Sequence, residues 1–163
     1  MIPEYRALFD RLAEQRVDFV VIGAVALILR GSARATTDLD ICYDRRTDNL
    51  RRLSEALRPF APALRGAPAG LPFHLDPETL TSGLNFTLTT TLGDVDLLGD
   101  VTGLGMYDVV VRLSSSVPIY DRDINVLTLD GLERAKRAAG RMKDLMDLAE
   151  ILEIRKQQKD AAR

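Results

Sequence analysis

The segment that most constrains this chain is an apolar run at residues 19 to 29, which is broken by one glycine and leads towards two aspartates. Its first part, "FVVI", is rich in β-branched and aromatic residues and predicts a buried strand. Gly23 ends that strand, and "AVALILRG" predicts a short helix closed by Gly31. The run is shorter than the ~20 residues that cross a bilayer, so it predicts part of a protein core and no membrane span.

The next segment, "TTDLDICYD", predicts a second strand with two unlike faces. Leu39, Ile41 and Tyr43 share one face, whereas Asp38 and Asp40 share the other. Two carboxylates this close repel each other, and burying them is costly. We therefore expect a positive group between them.

Helix and strand patterns succeed each other along the rest of the chain. Residues 59 to 72 contain four of the seven prolines and predict a loop. Residues 82 to 99 alternate as strands do, with a turn or bulge at Gly93. A hairpin turning at residues 121 to 123 follows, and then two helices, the first with Asp130 as N-cap. Helix, strand, helix, strand, helix and further strands form an α/β pattern.

Length and composition indicate one soluble domain. The 163 residues predict a single domain, 1–163, with a helical C-terminal segment at about 130–160. The lone cysteine, Cys42, cannot form an internal disulfide, and the N-terminus is charged from residue 4 and lacks a signal-peptide core. A cytoplasmic protein is the expectation. No exposed apolar stripe that would demand a dimer is apparent.

Charge is unevenly distributed. The net charge is −2, which argues against a protein that coats nucleic acid nonspecifically. Residues 131 to 163 hold nine Lys or Arg and six acids, so this part carries +3 and the rest −5. A cationic C-terminal helix beside an acidic site suits a substrate with both phosphate and metal. A solvated helix face is the simpler interpretation of the charge alone.

Asp-x-Asp occurs three times, at 38/40, 94/96 and 121/123. The last pair lies in a turn, where aspartate is favoured for local hydrogen bonds, so we assign it no chemistry. The other two lie on strands, where residues i and i+2 face the same way ~6.6 Å apart. Such carboxylates can close onto one or two metal ions, and all-oxygen ligation suits Mg²⁺ or Mn²⁺. With His74 as the only histidine and Cys42 as the only cysteine, the chain has too few of these ligands to predict a zinc site.

The order "IGA", a thirteen-residue gap and "DLDI" resembles the nucleotidyltransferases of the DNA polymerase beta superfamily. The pattern of that family is an apolar residue, Gly, and Gly or Ser, followed by an Asp-x-Asp/Glu pair. Gly23, Asp38 and Asp40 match it, whereas Ala24 replaces the usual Gly or Ser and removes a hydroxyl contact to the triphosphate. The resemblance implies that Gly23 and Ala24 bind nucleotide through the backbone.

The family also has a third acid on a later strand, and "VDLL" fits it. Asp96 is then the third metal ligand, with Asp94 on the same face as the alternative. The resemblance implies a minimal nucleotidyltransferase fold, which is a mixed central sheet flanked by helices, with helices at the C-terminus. It implies Mg²⁺ or Mn²⁺ bound by Asp38, Asp40 and Asp96.

"RGSARATTDLD" and "RAKRAAGRMKDLMDLAEIL" resemble the small nucleotidyltransferases of bacterial toxin–antitoxin and abortive-infection systems. In those proteins a late lysine contacts triphosphate and an aspartate follows it. Lys136 and either Asp144 or Asp147 are the matching positions. Arg141 and Arg34 are further candidate phosphate partners. For Arg34, a salt bridge to one of the strand aspartates is an equal alternative.

The implied reaction moves a nucleoside monophosphate from an NTP to an acceptor hydroxyl and releases pyrophosphate. Its catalytic residues would be Asp38, Asp40, Asp96 and Lys136. We expect an RNA acceptor, in particular a tRNA 3′ end, for a toxin that has a cognate antitoxin as a further partner. The alternatives are a transferase that modifies an antibiotic or a protein, and a catalytically inactive, antitoxin-like binding module.

Overall fold

The computed structural model describes residues 4 to 163. The helices, in chain order, are α1 (Arg6–Glu14), α2 (Gly23–Leu29), α3 (Thr47–Leu57), α4 (Pro77–Ser82), α5 (Tyr107–Val110), α6 (Leu129–Ala139) and α7 (Met142–Ala161), with 3₁₀ turns at Arg58–Phe60 and Val111–Leu113. The strands are β1 (Phe19–Ile22), β2 (Asp38–Tyr43), β3 (Ala63–Leu64), β4 (Asn85–Thr90), β5 (Gly93–Leu98), β6 (Asp100–Val101), β7 (Gly105–Met106), β8 (Ser114–Ile119) and β9 (Arg122–Leu127).

Seven of these strands form one mixed sheet in the order β3-β4-β5-β2-β1-β9-β8. The pairs β2–β5 and β1–β9 are parallel, and the other pairs are antiparallel. All four residues of β1 are buried, because this strand lies inside the sheet and both of its faces are covered. The prediction of an α/β fold with a mixed central sheet flanked by helices is confirmed.

Local signals placed most elements correctly. The predicted hairpin is the β8–β9 pair, and its turn contains Tyr120 and Asp121 at φ of 49° and 63°. The break at Gly140 is a left-handed C-cap of α6. The predicted N-cap of that helix is wrong: the cap is Thr128, whose hydroxyl accepts a hydrogen bond from the Gly131 amide, and Asp130 lies in the first turn.

The long helix α7 presents an apolar stripe to solvent. Met142, Leu145, Met146 and Leu152 are exposed at helical spacing, and Met142 is 80% exposed. The opposite face is buried but contains aspartates as well as isoleucines. Apolar residues therefore occur on both faces of α7, and the sequence shows no clean amphipathic period that would reveal the stripe.

Within residues 4–163, none of the helices combines the length and the apolar character that a membrane crossing requires.

Candidate active site

The register of two parallel strands brings four carboxylates together. β2 and β5 pair with Asp38 opposite Asp94 and Asp40 opposite Asp96. Neighbouring strands lie about 4.8 Å apart, and paired residues project to the same face. Residues that are more than fifty positions apart in the chain therefore form one acidic patch in the middle of the sheet.

Asp40 is the most strongly perturbed of these acids. The pKa of Asp40 is raised to about 6, with burial as the largest cause and the neighbouring charges of Asp96 and Asp38 as the next two. The charge of Lys136 lowers the pKa of Asp40 but does not offset the causes that raise it. Asp96 is also close enough to Asp40 for a hydrogen bond between the two carboxyl groups. The centre of the patch is thus short of positive charge.

Gly23 closes the strand-to-helix turn directly over Asp40. Its φ is +65°, a conformation that other residues rarely adopt, and a Cβ atom at this position would lie 2.2 Å from Oδ2 of Asp40. Any larger residue would have to displace the carboxylate. The glycine predicted from the strand-to-helix transition is therefore required by contact with the second aspartate.

A cavity of about 780 Å³ opens over this patch. Most of the residues predicted for the site line it, namely Gly23, Ala24, Arg34, Asp38, Asp40, Asp96, Lys136, Arg141 and Asp147. Asp94 and Asp144 are not among the lining residues. The sequence left open whether Asp94 or Asp96 is the third metal ligand, and the geometry favours Asp96 because it faces the cavity. For the same reason it favours Asp147 over Asp144 as the late acid.

The predicted phosphate-binding residues form an ion-pair cluster between α6 and α7. Lys136 Nζ lies 2.7 Å from Oδ2 of Asp147 and 3.4 Å from Oδ1 of Asp144. Arg141 Nε lies 2.9 Å from Oδ2 of Asp144, and Arg34 pairs with Asp147. The cations are therefore balanced by acids of the same segment.

These contacts lower the pKa values of the late aspartates. The hydrogen bond from the Arg141 side chain is the largest cause that holds the pKa of the fully buried Asp144 at about 2. Asp144 also accepts the Arg141 amide at 3.0 Å and so caps α7. Burial would raise the pKa of Asp147, but hydrogen bonds from Lys136 and Arg34 outweigh it and lower that pKa.

Arg34 lines the cavity, as expected for a candidate phosphate partner, and also contacts the last helix. Its guanidinium pairs with Asp147 and Glu150 of α7, so it joins the loop after α2 to the last helix. Glu150 was not predicted to be near the site, and it also accepts a hydrogen bond from the Ser32 hydroxyl at 2.5 Å. Arg34 thus belongs to the late ion-pair cluster.

Arg65 is a further residue of the site that no sequence pattern indicated. Its Nη2 atom donates to Oδ1 of Asp96 at 2.6 Å, and its Nε atom lies 3.1 Å from Oδ2 of Asp94. The positive group expected between Asp38 and Asp40 thus pairs with the facing acids of the neighbouring strand. Arg65 lies in the proline-rich segment, and the one available signal was that it is the only charged residue between 59 and 72.

No group of three or more metal-ligating side chains in residues 4–163 is already arranged around a single point. The chemistry of the donor set nevertheless fits a hard divalent cation, because carboxylate oxygens from two adjacent strands face one cavity and the positive charge of Lys136 does not offset the causes that raise the pKa of Asp40. Asp38 accepts the Thr37 hydroxyl at 2.6 Å, so this carboxylate is held by a weak and exchangeable partner.

No family model matches the chain, and no curated protein sequence matches it either. Solved structures do. A protein of Thermotoga maritima assigned as a nucleotidyltransferase is similar with a TM-score of 0.58 and 21% identity, over 91% of this chain and 89% of its own.

The lincosamide antibiotic adenylyltransferase LnuA, solved with lincomycin bound, has a TM-score of 0.58 at 15% identity and covers 94% and 98% of the two chains. An antigenic nucleotidyltransferase-like protein of Paracoccidioides brasiliensis has a TM-score of 0.56 at 15% identity, over 94% of this chain and 77% of its own. Three proteins of this kind share the sheet and helices described above, and the chain therefore has the nucleotidyltransferase fold.

Proposed function

We propose that this protein is a divalent-metal-dependent nucleotidyltransferase that moves a nucleoside monophosphate from an NTP to an acceptor hydroxyl. The observation that carries the proposal is the β2–β5 register, which sets Asp38 and Asp40 against Asp96 beside the Gly23 turn in one cavity. The nucleotidyltransferase fold agrees with it.

Asp38, Asp40 and Asp96 would hold Mg²⁺ or Mn²⁺. When bound, the metal supplies charge neutralisation at the transferring phosphoryl group and lowers the pKa of the attacking hydroxyl. Asp96 also accepts the proton of the acceptor hydroxyl. Burial, together with repulsion from Asp96 and Asp38, raises the pKa of Asp40, and a bound cation would relieve both effects.

The remaining lining residues bind and orient the nucleotide. Gly23 and Ala24 line the cavity and contact the triphosphate through backbone amides. Lys136, with a side chain 17% exposed, contributes a point charge, and Arg141 contributes a fork of donors at the mouth. Because both cations are paired with Asp144, the phosphate competes with carboxylates and does not meet free charges.

For the acceptor we retain the RNA 3′ end, as in a toxin with a cognate antitoxin. This choice rests on the surplus of positive charge in residues 131 to 163. Part of that surplus is internal, since Arg155 pairs with Glu133 and Asp130 of α6. Lys156 and Lys159 are exposed and remain the candidates for RNA contact.

A second acceptor class has its own support. LnuA, whose name and lincomycin complex denote an antibiotic adenylyltransferase, is matched over 98% of its chain. A small hydroxylated antibiotic is therefore the alternative acceptor.

The test is transfer of label from each of the four NTPs, with Mg²⁺, to total RNA, to a panel of hydroxylated antibiotics and to lysate protein. Labelled product and pyrophosphate should appear with one acceptor class and should vanish with Asp40→Asn. NTP binding without pyrophosphate release under every condition would instead support the catalytically inactive binding module.

An RNA acceptor can be separated from a small molecule by salt. Replacing Lys156 and Lys159 with Ser leaves the Arg155 ion pairs intact and should weaken RNA binding. The logarithmic salt slope should flatten by ~0.7 for each lost phosphate contact. An unchanged slope, with normal transfer to an antibiotic, would contradict the RNA proposal.

A further inference from the structure

Arg65 is anchored to the sheet at its backbone and again at its side chain. It directly follows β3, the short edge strand, and its amide donates to the Thr87 carbonyl of β4 at 3.0 Å. Its Nη2 atom donates to the Leu88 carbonyl at 2.9 Å as well as to Asp96. The side chain is 31% exposed, so these bonds are partly shielded from water.

The strand order puts Asp96 between the positive charge of Arg65 and the negative charge of Asp40. β5 lies between β4 and β2, so Arg65 approaches Asp96 from the β4 side and Asp40 faces it from the β2 side. One oxygen of Asp96 is held by the guanidinium at 2.6 Å. A charge-assisted bond of this length restricts rotation of the carboxylate far more than water would.

Asp94 forms an ion pair, without a hydrogen bond, with the Nε end of the same guanidinium. Its Oδ2 atom lies 3.1 Å from Nε of Arg65, and its Oδ1 atom accepts the Thr89 hydroxyl at 2.9 Å. Asp94 does not line the cavity. Its contacts are therefore those of a residue that orients Arg65.

We propose that Arg65 is a positioning residue: it fixes the orientation of the Asp96 carboxylate for metal and acceptor binding, and Asp94 fixes Arg65. This inference rests on the proposed function. It assigns distinct roles to two acids that are equivalent in sequence, with Asp96 at the reacting centre and Asp94 acting through the arginine.

A purely structural role for Arg65 predicts something else. If the side chain only ties the edge strand β3 to the sheet, its loss lowers the melting temperature and leaves metal affinity and turnover per folded molecule unchanged. The two roles are distinguished by the affinity for metal and by whether the substitution changes kcat, KM or neither.

The experiment compares Arg65→Ala and Arg65→Lys with the wild type by calorimetric titration of Mn²⁺ and by steady-state kinetics. Arg65→Ala should weaken Mn²⁺ binding by about tenfold or more and lower kcat, while KM for the NTP changes less than about twofold. Arg65→Lys should restore part of the Mn²⁺ affinity, because it keeps the charge but lacks the planar fork.

Arg122→Ala is the matched control, since Arg122 forms a comparable ion pair with Asp10 at 2.7 Å on β9, away from the cavity. It should behave as the wild type. Wild-type Mn²⁺ affinity and kcat in a folded Arg65 variant would overturn the proposal. If Arg65→Ala does not fold, the same measurements on Arg65→Lys decide.

A failure of the Arg65 proposal can be distinguished from a failure of the proposed function. A wild type that binds Mn²⁺ but transfers no nucleotide refutes the function, while the calorimetric comparison still tests Arg65. A wild type that binds no Mn²⁺ overturns both.

Discussion

Asp40 on strand β2 and Asp144 at the start of helix α7 have opposite electrostatics. On β2, burial and the charges of Asp96 and Asp38 raise the pKa of Asp40 to about 6. At the start of α7, hydrogen bonds from Arg141, together with Lys136, hold the pKa of Asp144 at about 2. The same side chain is thus destabilised as an anion in one place and stabilised in the other.

The opposite pKa shifts of Asp40 and Asp144 indicate which acids are available to bind a metal. An ionised carboxylate with negative neighbours gains most from an added cation, so the strand acids are the ones that would bind a metal. A carboxylate that already has two cations and a backbone amide is part of the scaffold. Substitution by asparagine should therefore have opposite effects on stability at the two places.

The largest effect should follow Asp40→Asn. Transfer should fall by about 10³-fold or more, because a neutral amide cannot replace a metal-binding carboxylate. Without metal near pH 7.5, the variant should be more stable than the wild type by about 1–3 kcal/mol, since ionised Asp40 is disfavoured in the folded state.

This gain depends on pH in a known direction. Because the folded state binds the Asp40 proton more tightly, the stabilisation from this group is complete below about pH 4 and is lost as pH rises through about 6. Urea unfolding in chelator should show the difference between variant and wild type shrinking from about pH 7.5 to about pH 4.5. A constant difference would contradict the explanation.

A second comparison separates the two acids of β5. Saturating Mg²⁺ at about 100 times Kd should stabilise the wild type by ~2.7 kcal/mol. Asp96→Asn should lose most of this stabilisation, and Asp94→Asn should keep the larger part. Thermal unfolding with and without Mg²⁺ measures both. The reverse order would make Asp94 the metal ligand.

A third substitution tests the turn above Asp40. Gly23→Ala should cost at least about 2 kcal/mol and most of the activity, because a positive φ and an overlap with the carboxylate act together. Gly66→Ala is the control, since Gly66 also has a positive φ of +76° but has nothing within 4 Å of its Cβ position. It should cost about 1 kcal/mol and leave transfer intact. If both variants lose the same amount of stability and activity, overlap with the Asp40 carboxylate is not the cause.

The smallest effect should come from Asp144→Asn, with the sign opposite to that of Asp40→Asn. It should destabilise the protein by about 1–2 kcal/mol near neutral pH, because Arg141 and Lys136 lose a partner. The lowered pKa means that this stabilisation is present above about pH 4 and is lost as pH falls through about 2. Chemical denaturation of this variant and of Asp160→Asn, an exposed position on the same helix, provides the check.

Local patterns in the sequence were sufficient for the strand-to-helix turn at Gly23, for the alternation that puts Asp38 and Asp40 on one face, and for the hairpin at residues 121 to 123, whereas the nucleotidyltransferase fold was predicted from a family resemblance. Each of these local patterns depends on residues within a few positions of one another.

The prediction of a cationic C-terminal helix is wrong, because the observed α6 carries a net charge of +1 and α7 one of −1, so the surplus in residues 131 to 163 depends on Arg141 and Arg163 outside the helices. The composition of this segment had a further limit. It did not show that Lys136 and Arg141 are paired with Asp144, because acids and bases of one segment can lie on the same or on different faces.

Alternation and carboxylate chemistry are local properties. They therefore predict, from the sequence alone, which strands carry acids and which residues can bind a metal. Three features are visible only in the folded protein. Asp96 faces the cavity, Gly23 lies against Asp40, and Arg65 donates a hydrogen bond to Asp96. These depend on the β2–β5 register and on an edge strand from a proline-rich segment, and both are set by packing between residues distant in the chain.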